Sequence, residues 1–262
     1  MANTAEGVGD SSNLLDEQIA YYRARAGEYD EWFLRQGRYD HGAEEQARWF
    51  AEVAEVEQAL AAFCQQQPVT TALELAGGTG LWTERLLRAA PALTRLTVVD
   101  SAPETLAINR ERIVRLGQVA QVAQVGADTV QRVQYVEADL FDWRPSQDRY
   151  DLVCFTFWLS HVPPERFDAF WALVRDCLAP EGRVFFVDSR YTPQSTARDH
   201  QLESAGATTI TRRLNDGQTY RIVKVFYSPD ELAERLNALG WRITVSTTPT
   251  YFLYGEGTRA EI

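Results

Sequence analysis

Sulfur is scarce in this chain of 262 residues, which has three cysteines and one methionine. Cys64, Cys154 and Cys177 are odd in number and irregular in spacing, so they exclude a disulfide framework and read as buried free thiols. Histidine is equally rare, at three, and no group of His, Cys or acid has ligand spacing, so no metal is expected. Positive charge is the minority sign: 26 Lys and Arg face 37 Asp and Glu, for a net charge of −11. Such a surface repels nucleic acid and would need a local basic patch to hold it. No apolar run reaches the roughly 18 residues that suggest a membrane span. No basic start followed by an apolar segment marks a signal peptide. The expectation is a soluble, cytoplasmic protein, monomer or homodimer, with neither nucleic acid nor membrane as partner.

With 45% hydrophobic content, the chain can bury the core of one α/β domain with a small addition. Its organising stretch is T-A-L-E-L-A-G-G-T-G-L, Thr71 to Leu81. An apolar run breaks at Gly77-Gly78-Thr79-Gly80 and a helical pattern follows from Trp82. Strand, glycine turn and helix open a nucleotide-binding unit. The glycines turn with φ > 0 and let a ligand approach bare backbone. A dinucleotide loop reads G-x-G-x-x-G/A, and Thr83 stands at its last position, which disfavours an NAD-dependent oxidoreductase. The next strand, Leu96 to Asp100, ends in an acid that can accept from both ribose hydroxyls; Asp100 and Ser101 can equally cap a helix. After strand three, Val133 to Glu137, Asp139 and Leu140 suit an adenine, the carboxylate accepting from the amine and the leucine packing on the ring.

Strand four, Tyr150 to Thr156, leads into F-W-L-S-H-V-P-P. Ligands in open α/β sheets bind beyond the carboxyl ends of strands, so Phe155 to His161 should sit by the reacting group. His161 is the catalytic candidate: it can take a proton from an acceptor or orient a neighbour, and both roles stand. His41 and His200 lie in polar, loop-like surroundings. An amphipathic helix from Glu165 to Leu178, a turn at Pro180-Glu181-Gly182 and a strand from Arg183 to Asp188 supply core. Residues 209–226 then read as a β-hairpin turned on Asp216-Gly217. A two-residue loop sets Arg212 directly across from Arg221, and puts Lys224 on the other face with Arg213 and Tyr220. Facing arginines repel, so the pair points to a bound anion. Helix 229–240 and two last strands, Trp241 to Thr247 and Thr250 to Tyr254, close the sheet.

At the other end, residues 1–13 read as a disordered tail, 14–66 as a helical N-terminal lid, and 67–262 as the main domain. Tyr22, Tyr29 and Arg38 are functional candidates in the lid, beside the plainer reading of a helix packing its aromatic face on the core. Residues 103–130 read as a helix extended by the repeat Q-V-A-Q-V-A-Q-V-G, for which there is no functional account.

Together E-L-A-G-G-T-G, V-V-D, E-A-D-L and L-A-P-E-G resemble the motifs of class I S-adenosylmethionine (SAM) methyltransferases over nearly the whole of Leu14 to Tyr254. A narrower likeness, in Y-Y-R-A-R-A-G-E-Y-D, W-L-S-H-V-P and D-G-Q-T-Y-R-I-V-K-V-F, is to the phosphonate-type small-molecule O-methyltransferases of dehydrophos biosynthesis and their relatives. The resemblance implies a Rossmann-like α/β fold, seven mostly parallel strands with an antiparallel last strand, and an N-terminal lid. It implies SAM held by Tyr22, Arg38, Glu74, Ala76, Gly77, Gly78, Gly80, Trp82, Asp100, Ser101, Asp139, Leu140 and Phe155. The acceptor would meet Tyr29, Trp158, Arg212, Arg221 and Lys224. The implied reaction is methyl transfer to an oxygen of a small anionic natural-product precursor. A neutral aromatic acceptor, with His161 as base, and a non-catalytic SAM-binding protein are the competing readings.

Overall fold

A computed structural model describes residues 6–119, 131–146, 149–200, 203–204 and 206–260. Most of the Gln-Val-Ala repeat, residues 118–126, lies outside them. The chain enters through helix α1 (Glu6–Arg25), short helix α2 (Tyr29–Phe33) and long helix α3 (Ala43–Gln66). Helix α1 therefore covers the second half of the stretch that composition assigns to a disordered tail. The segments that follow are β1 (Thr71–Leu75), α4 (Leu81–Ala89), β2 (Arg95–Asp100), α5 (Pro103–Val119), β3 (Val133–Glu137), β4 (Tyr150–Thr156), α6 (Phe167–Cys177) and β5 (Leu178–Ser189). Hairpin strands β6 (Thr209–Arg213) and β7 (Thr219–Val223), helix α7 (Pro229–Ala238), β8 (Trp241–Thr247) and β9 (Phe252–Arg259) complete the described chain.

Seven strands form one sheet in the order β3-β2-β1-β4-β5-β9-β8. The pairs from β3 to β5 are parallel and β9 joins β5 antiparallel. Strand order reverses between β1 and β4, so the crevice beyond their carboxyl ends is the switch point where such sheets bind ligands. Both faces of the sheet are covered. Trp49, Phe33, Trp82 and Phe252 pack on one side, and Phe155, Phe170, Trp171 and Trp241 on the other. This explains the near-continuous apolar runs of β1, β4 and β5, which alternation would not produce.

Two local departures matter. The Pro180-Glu181-Gly182 turn is an excursion inside β5 rather than its prelude. Tyr150 pairs with Leu178 but Leu152 pairs with Arg183, so residues 179–182 stand opposite Asp151 alone and three extra residues loop out. A Cβ at Gly182 would lie 2.7 Å from the Tyr150 carbonyl oxygen, which explains the glycine. The hairpin register also differs from the expected one. Arg212 pairs with Tyr220, and Arg221 pairs with Thr211. The loop has five residues, 214–218, closed by the Leu214 N–H donating to the Gln218 carbonyl. That single-residue slip moves Arg221 to the opposite face from Arg212 and brings Lys224 onto the Arg212 side.

Candidate active site

The glycine loop carries the first cavity. Ala76, Gly78 and Gly80 all take positive φ, at 53°, 52° and 86°. Glycine removes the steric cost at two of these positions; Ala76 retains it. A Cβ at Gly77 would meet Val98 at 2.3 Å, and one at Gly80 would meet Asn109 at 2.6 Å. The loop is therefore pressed onto β2 and α5. Asn109, fully buried, donates toward the Gly77 and Gly78 carbonyls at 3.3 and 3.4 Å and to Thr83 Oγ1 at 2.8 Å. Thr83, the residue that departs from the dinucleotide motif, donates to Glu74 Oε2 at 2.6 Å. Burial raises the Glu74 carboxyl to about 8.

Beyond the loop, a cavity is lined by Ala76, Gly78, Asp100, Ser101 and Leu140 from the sheet side. Tyr22 of α1 and Tyr29 of α2 line it too. Asp100 Oδ2 accepts the Gly78 N–H at 2.9 Å and Oδ1 the Ala102 N–H at 2.9 Å. Burial raises the Asp100 carboxyl even against these donors. Asp139 lines a smaller annex with Trp158, Phe141 and Tyr22.

A second cavity adjoins the first. Tyr22, Tyr29, Phe157 and His161 line both. Into it point Arg25, Arg212 and Lys224, with Tyr39, Ser195 and His200 around them. Arg25 is 8% exposed, lies over the rings of Tyr21, Tyr29 and Tyr39, and donates to the Tyr39 hydroxyl at 3.5 Å. Lys224 donates to Ser160 Oγ at 2.8 Å and lies 3.5 Å from the Asp188 carboxylate. Among the described residues, neither Arg25 nor Arg212 has a carboxylate partner. Burial lowers the Arg212 and Lys224 pKa values; the guanidinium stays charged all the same, and the Asp188 carboxylate opposes the shift at Lys224.

His161 stands between the cavities, held at both nitrogens. Nδ1 lies 2.7 Å from the Val223 carbonyl, which can only accept, so Nδ1 carries the hydrogen. Nε2 is then bare and accepts from the Tyr22 hydroxyl at 2.7 Å. Burial, with the Lys224 charge second, holds the imidazole well below its ordinary pKa. Burial likewise holds the Tyr22 and Tyr29 phenols above theirs. The ring is neutral and its basic nitrogen is already engaged.

Of the residues expected on the cofactor, Tyr22, Ala76, Gly78, Asp100, Ser101 and Leu140 line the first cavity. Glu74, Gly77 and Gly80 lie behind the loop that forms its wall. Phe155 does not reach it: the side chain is fully buried and stacks on Phe186 at 5.3 Å. Trp82 packs on Phe33 and Phe157 in the opposite core layer. Arg38 is tied to Asp199 at 2.7 Å and to the Arg213 carbonyl, away from the cofactor side. Trp158, expected on the acceptor, lines the first cavity and its annex. Arg221 projects outward and pairs with Glu17 at 3.0 Å. Tyr29, Arg212 and Lys224, also expected on the acceptor, line the second cavity. Sequence reasoning missed Arg25, Thr105 and His200. Arg25 had a signal, because it lies three residues after Tyr22 on one helix and so shares its face. Phe157, with φ at 54°, falls within the stretch expected by the reacting group, though the ring itself was not singled out.

A sheet of this order, with an open glycine loop after β1 and an acid ending β2, defines the class I methyltransferase architecture. Residues 39–245 match the family described as Methyltransferase domain. The chain belongs to that family and is a SAM-dependent methyltransferase. Among solved structures it is similar to DhpI in complex with SAH, at 33% identity and a TM-score of 0.67, covering 95% of this chain and 98% of that one. The DhpI-SAM-HEP complex matches at 34% identity and a TM-score of 0.65, covering 97% and 99%. The 1,6-didemethyltoxoflavin-N1-methyltransferase of Burkholderia thailandensis, at 16% identity, a TM-score of 0.55 and coverage of 100% and 93%, shows the fold alone. No curated protein matches. Among the described residues no group of His, Cys, Asp or Glu could hold a metal ion, and no helix is long and apolar enough to cross a membrane.

Proposed function

We propose that this methyltransferase acts on an oxygen of a small anionic metabolite, a phosphonate, phosphate or carboxylate, in natural-product metabolism. The observation that carries the reading is the convergence of Arg25, Arg212 and Lys224 on a cavity next to the glycine loop, in a chain of net charge −11. Burying uncompensated guanidinium groups is costly unless something pairs with them. An anion supplies that partner through charge-assisted hydrogen bonds. That a relative at about a third identity forms a complex with both SAM and HEP supports two adjoining sites used together.

The first cavity suits the cofactor on this chain's own terms. Asp100 presents a carboxylate with unused lone pairs, Gly78 offers bare backbone, and Leu140 gives an apolar wall. Buried Glu74 Oε1 has no partner among the described residues, as expected of an acid set under a cationic ligand. SAM supplies an electrophilic methyl group when bound. Arg25, Arg212 and Lys224 fix the acceptor, and Tyr22, Tyr29 and Phe157 close the boundary against water, so the protein contributes mainly by positioning. An ionised oxygen needs no base. This agrees with a neutral His161 whose Nε2 is engaged by Tyr22, and makes His161 an orienting residue. Assaying methyl transfer from SAM to a panel of phosphonates, phosphates, carboxylates and neutral phenols tests the reading. Turnover should be confined to anions, and preferred turnover of phenols would sink it.

A further inference from the structure

Thr79 is the one residue of the glycine loop with a side chain to grip, and it is gripped twice. Its hydroxyl donates to Asp30 Oδ1 at 2.6 Å. Its carbonyl accepts from Arg112 Nε at 2.9 Å. Arg112 in turn forms an ion pair with Asp30 Oδ2. Three elements meet there: the lid helix α2, the cofactor loop and helix α5. Thr79 is 2% exposed, so its hydrogen bond to a charged acceptor is of the stronger kind. The other ionic link from this part of the lid, Arg23 to Glu104, is exposed at both ends and is worth little.

We propose that Asp30 is a positioning residue that makes the two cavities interdependent, relaying the state of the glycine loop to the acceptor side through Thr79. Asp30 follows Tyr29, which lines both cavities, and precedes Trp32, which lines only the acceptor cavity. All three lie on one five-residue helix, so a shift at Asp30 moves them together. On the loop side Thr79 is bonded directly to Gly78, a wall of the cofactor cavity, whose own N–H is held by Asp100. A ligand that settles Gly78 and Asp100 therefore settles Thr79, then Asp30, then the acceptor wall. The proposal rests on reading the second cavity as the acceptor site.

Hydrogen exchange with S-adenosylhomocysteine as probe tests it. The amides of Leu34, Arg35 and Gln36, bonded to carbonyls within the α2 turn, belong to residues that do not line the cofactor cavity. In the wild type the probe should slow their exchange by at least about fivefold. Thr79→Ser should keep the effect. Thr79→Val and Asp30→Ala should lose most of it while still binding the probe by calorimetry. Unchanged exchange in the wild type overturns the proposal, as does full protection in probe-bound Thr79→Val or Asp30→Ala. Reciprocity gives a second arm: inorganic phosphate should tighten probe binding in the wild type and not in Thr79→Val. Phosphate that fails to bind the apo protein sinks the anion reading, and the exchange arm still decides this one. Phosphate that binds without any mutual effect sinks this one alone.

Discussion

Arg25, Arg212 and Lys224 differ in what each already touches, and that decides what replacing them does. Lys224 is paired with buried Asp188, so its loss would strand a charge and confound stability with binding. Arg25 and Arg212 have no such partner among the described residues, and they give the cleaner test. Arg212→Ala or Arg25→Ala should raise the acceptor KM about 10–100-fold, the worth of one charge-assisted hydrogen bond, and leave S-adenosylhomocysteine affinity within about twofold. Arg221→Ala should do neither, because it pairs with Glu17 on the outside. Steady-state kinetics with calorimetry checks all three. His200 offers a pH test. Burial, then the charges of Arg212 and Arg38, lower it to about 4. The unfolded ring binds its proton more tightly than the folded one, so the stabilisation is complete above about pH 6.5 and is lost as pH falls towards 4. His200→Asn should flatten this decline by on the order of 1 kcal/mol, discounted because the ring is only partly buried. Denaturant titrations at pH 7, 5.5 and 4 would show it, and parallel curves for the two proteins would refute it. At this scale the sequence disclosed motif residues well: Asp100, Gly78 and Leu140 line the cavity their spacing suggests. It failed at Phe155, and it marked the stretch that holds Phe157 without singling out the ring. The left-handed backbone at Phe157 turns that ring to the cavities, and nothing in a string of apolar residues announces it.

The hairpin shows how an element is read correctly while its faces are not. Its turn residues and extent follow from Asp216-Gly217 and the β-branched flanks, but the five-residue loop shifts the register by one. Loop length depends on the closing bond from Leu214 to Gln218, a contact that composition does not predict. What anchors the hairpin is also non-local. The β7 edge is capped by α1, with Glu17 accepting the Arg221 N–H at 2.6 Å and Gln18 the Val223 N–H at 3.0 Å. Gln18, 3% exposed, also donates to the His161 carbonyl at 3.2 Å. One amide thus joins lid, hairpin and the turn after β4, filling the role of the missing next strand. Gln18→Ala would leave a buried N–H and a buried carbonyl unpaired, at about 2–4 kcal/mol together. The midpoint of thermal unfolding should fall by roughly 5–10 °C. Gln18→Glu, which keeps one acceptor, should fall less. A shift under about 2 °C for the alanine variant would mean water replaces both bonds.

For the molecule as a whole, the place of the crevice was legible because it follows from the strand, the glycine loop and the helix after it, while the seven-stranded sheet with its antiparallel last strand was legible through the family resemblance. The lining of the second cavity was legible only in part, since Arg25, Tyr39 and His200 reach it from three separate stretches of chain. The charge balance has a kinetic consequence that neither motif nor fold reveals alone. On the proposed function, an anionic acceptor would approach a body of net charge −11 and end beside Arg25, Arg212 and Lys224. The outer field repels it over distances that salt screens, the Debye length being about 10 Å at 0.1 M. The inner contacts are short and shielded from salt by burial. Raising ionic strength should therefore weaken the repulsion more than the attraction. From about 10 to 150 mM salt, KM for the anion should hold or fall, by up to about threefold. A site built on a basic surface patch would give the opposite sign, because screening would remove the attraction itself. Measuring KM across that range with a chloride salt, beside a neutral acceptor analogue as control, decides between them. A KM that climbs with salt would mean the anion is gathered at the surface rather than by Arg25 and Arg212 in the cavity.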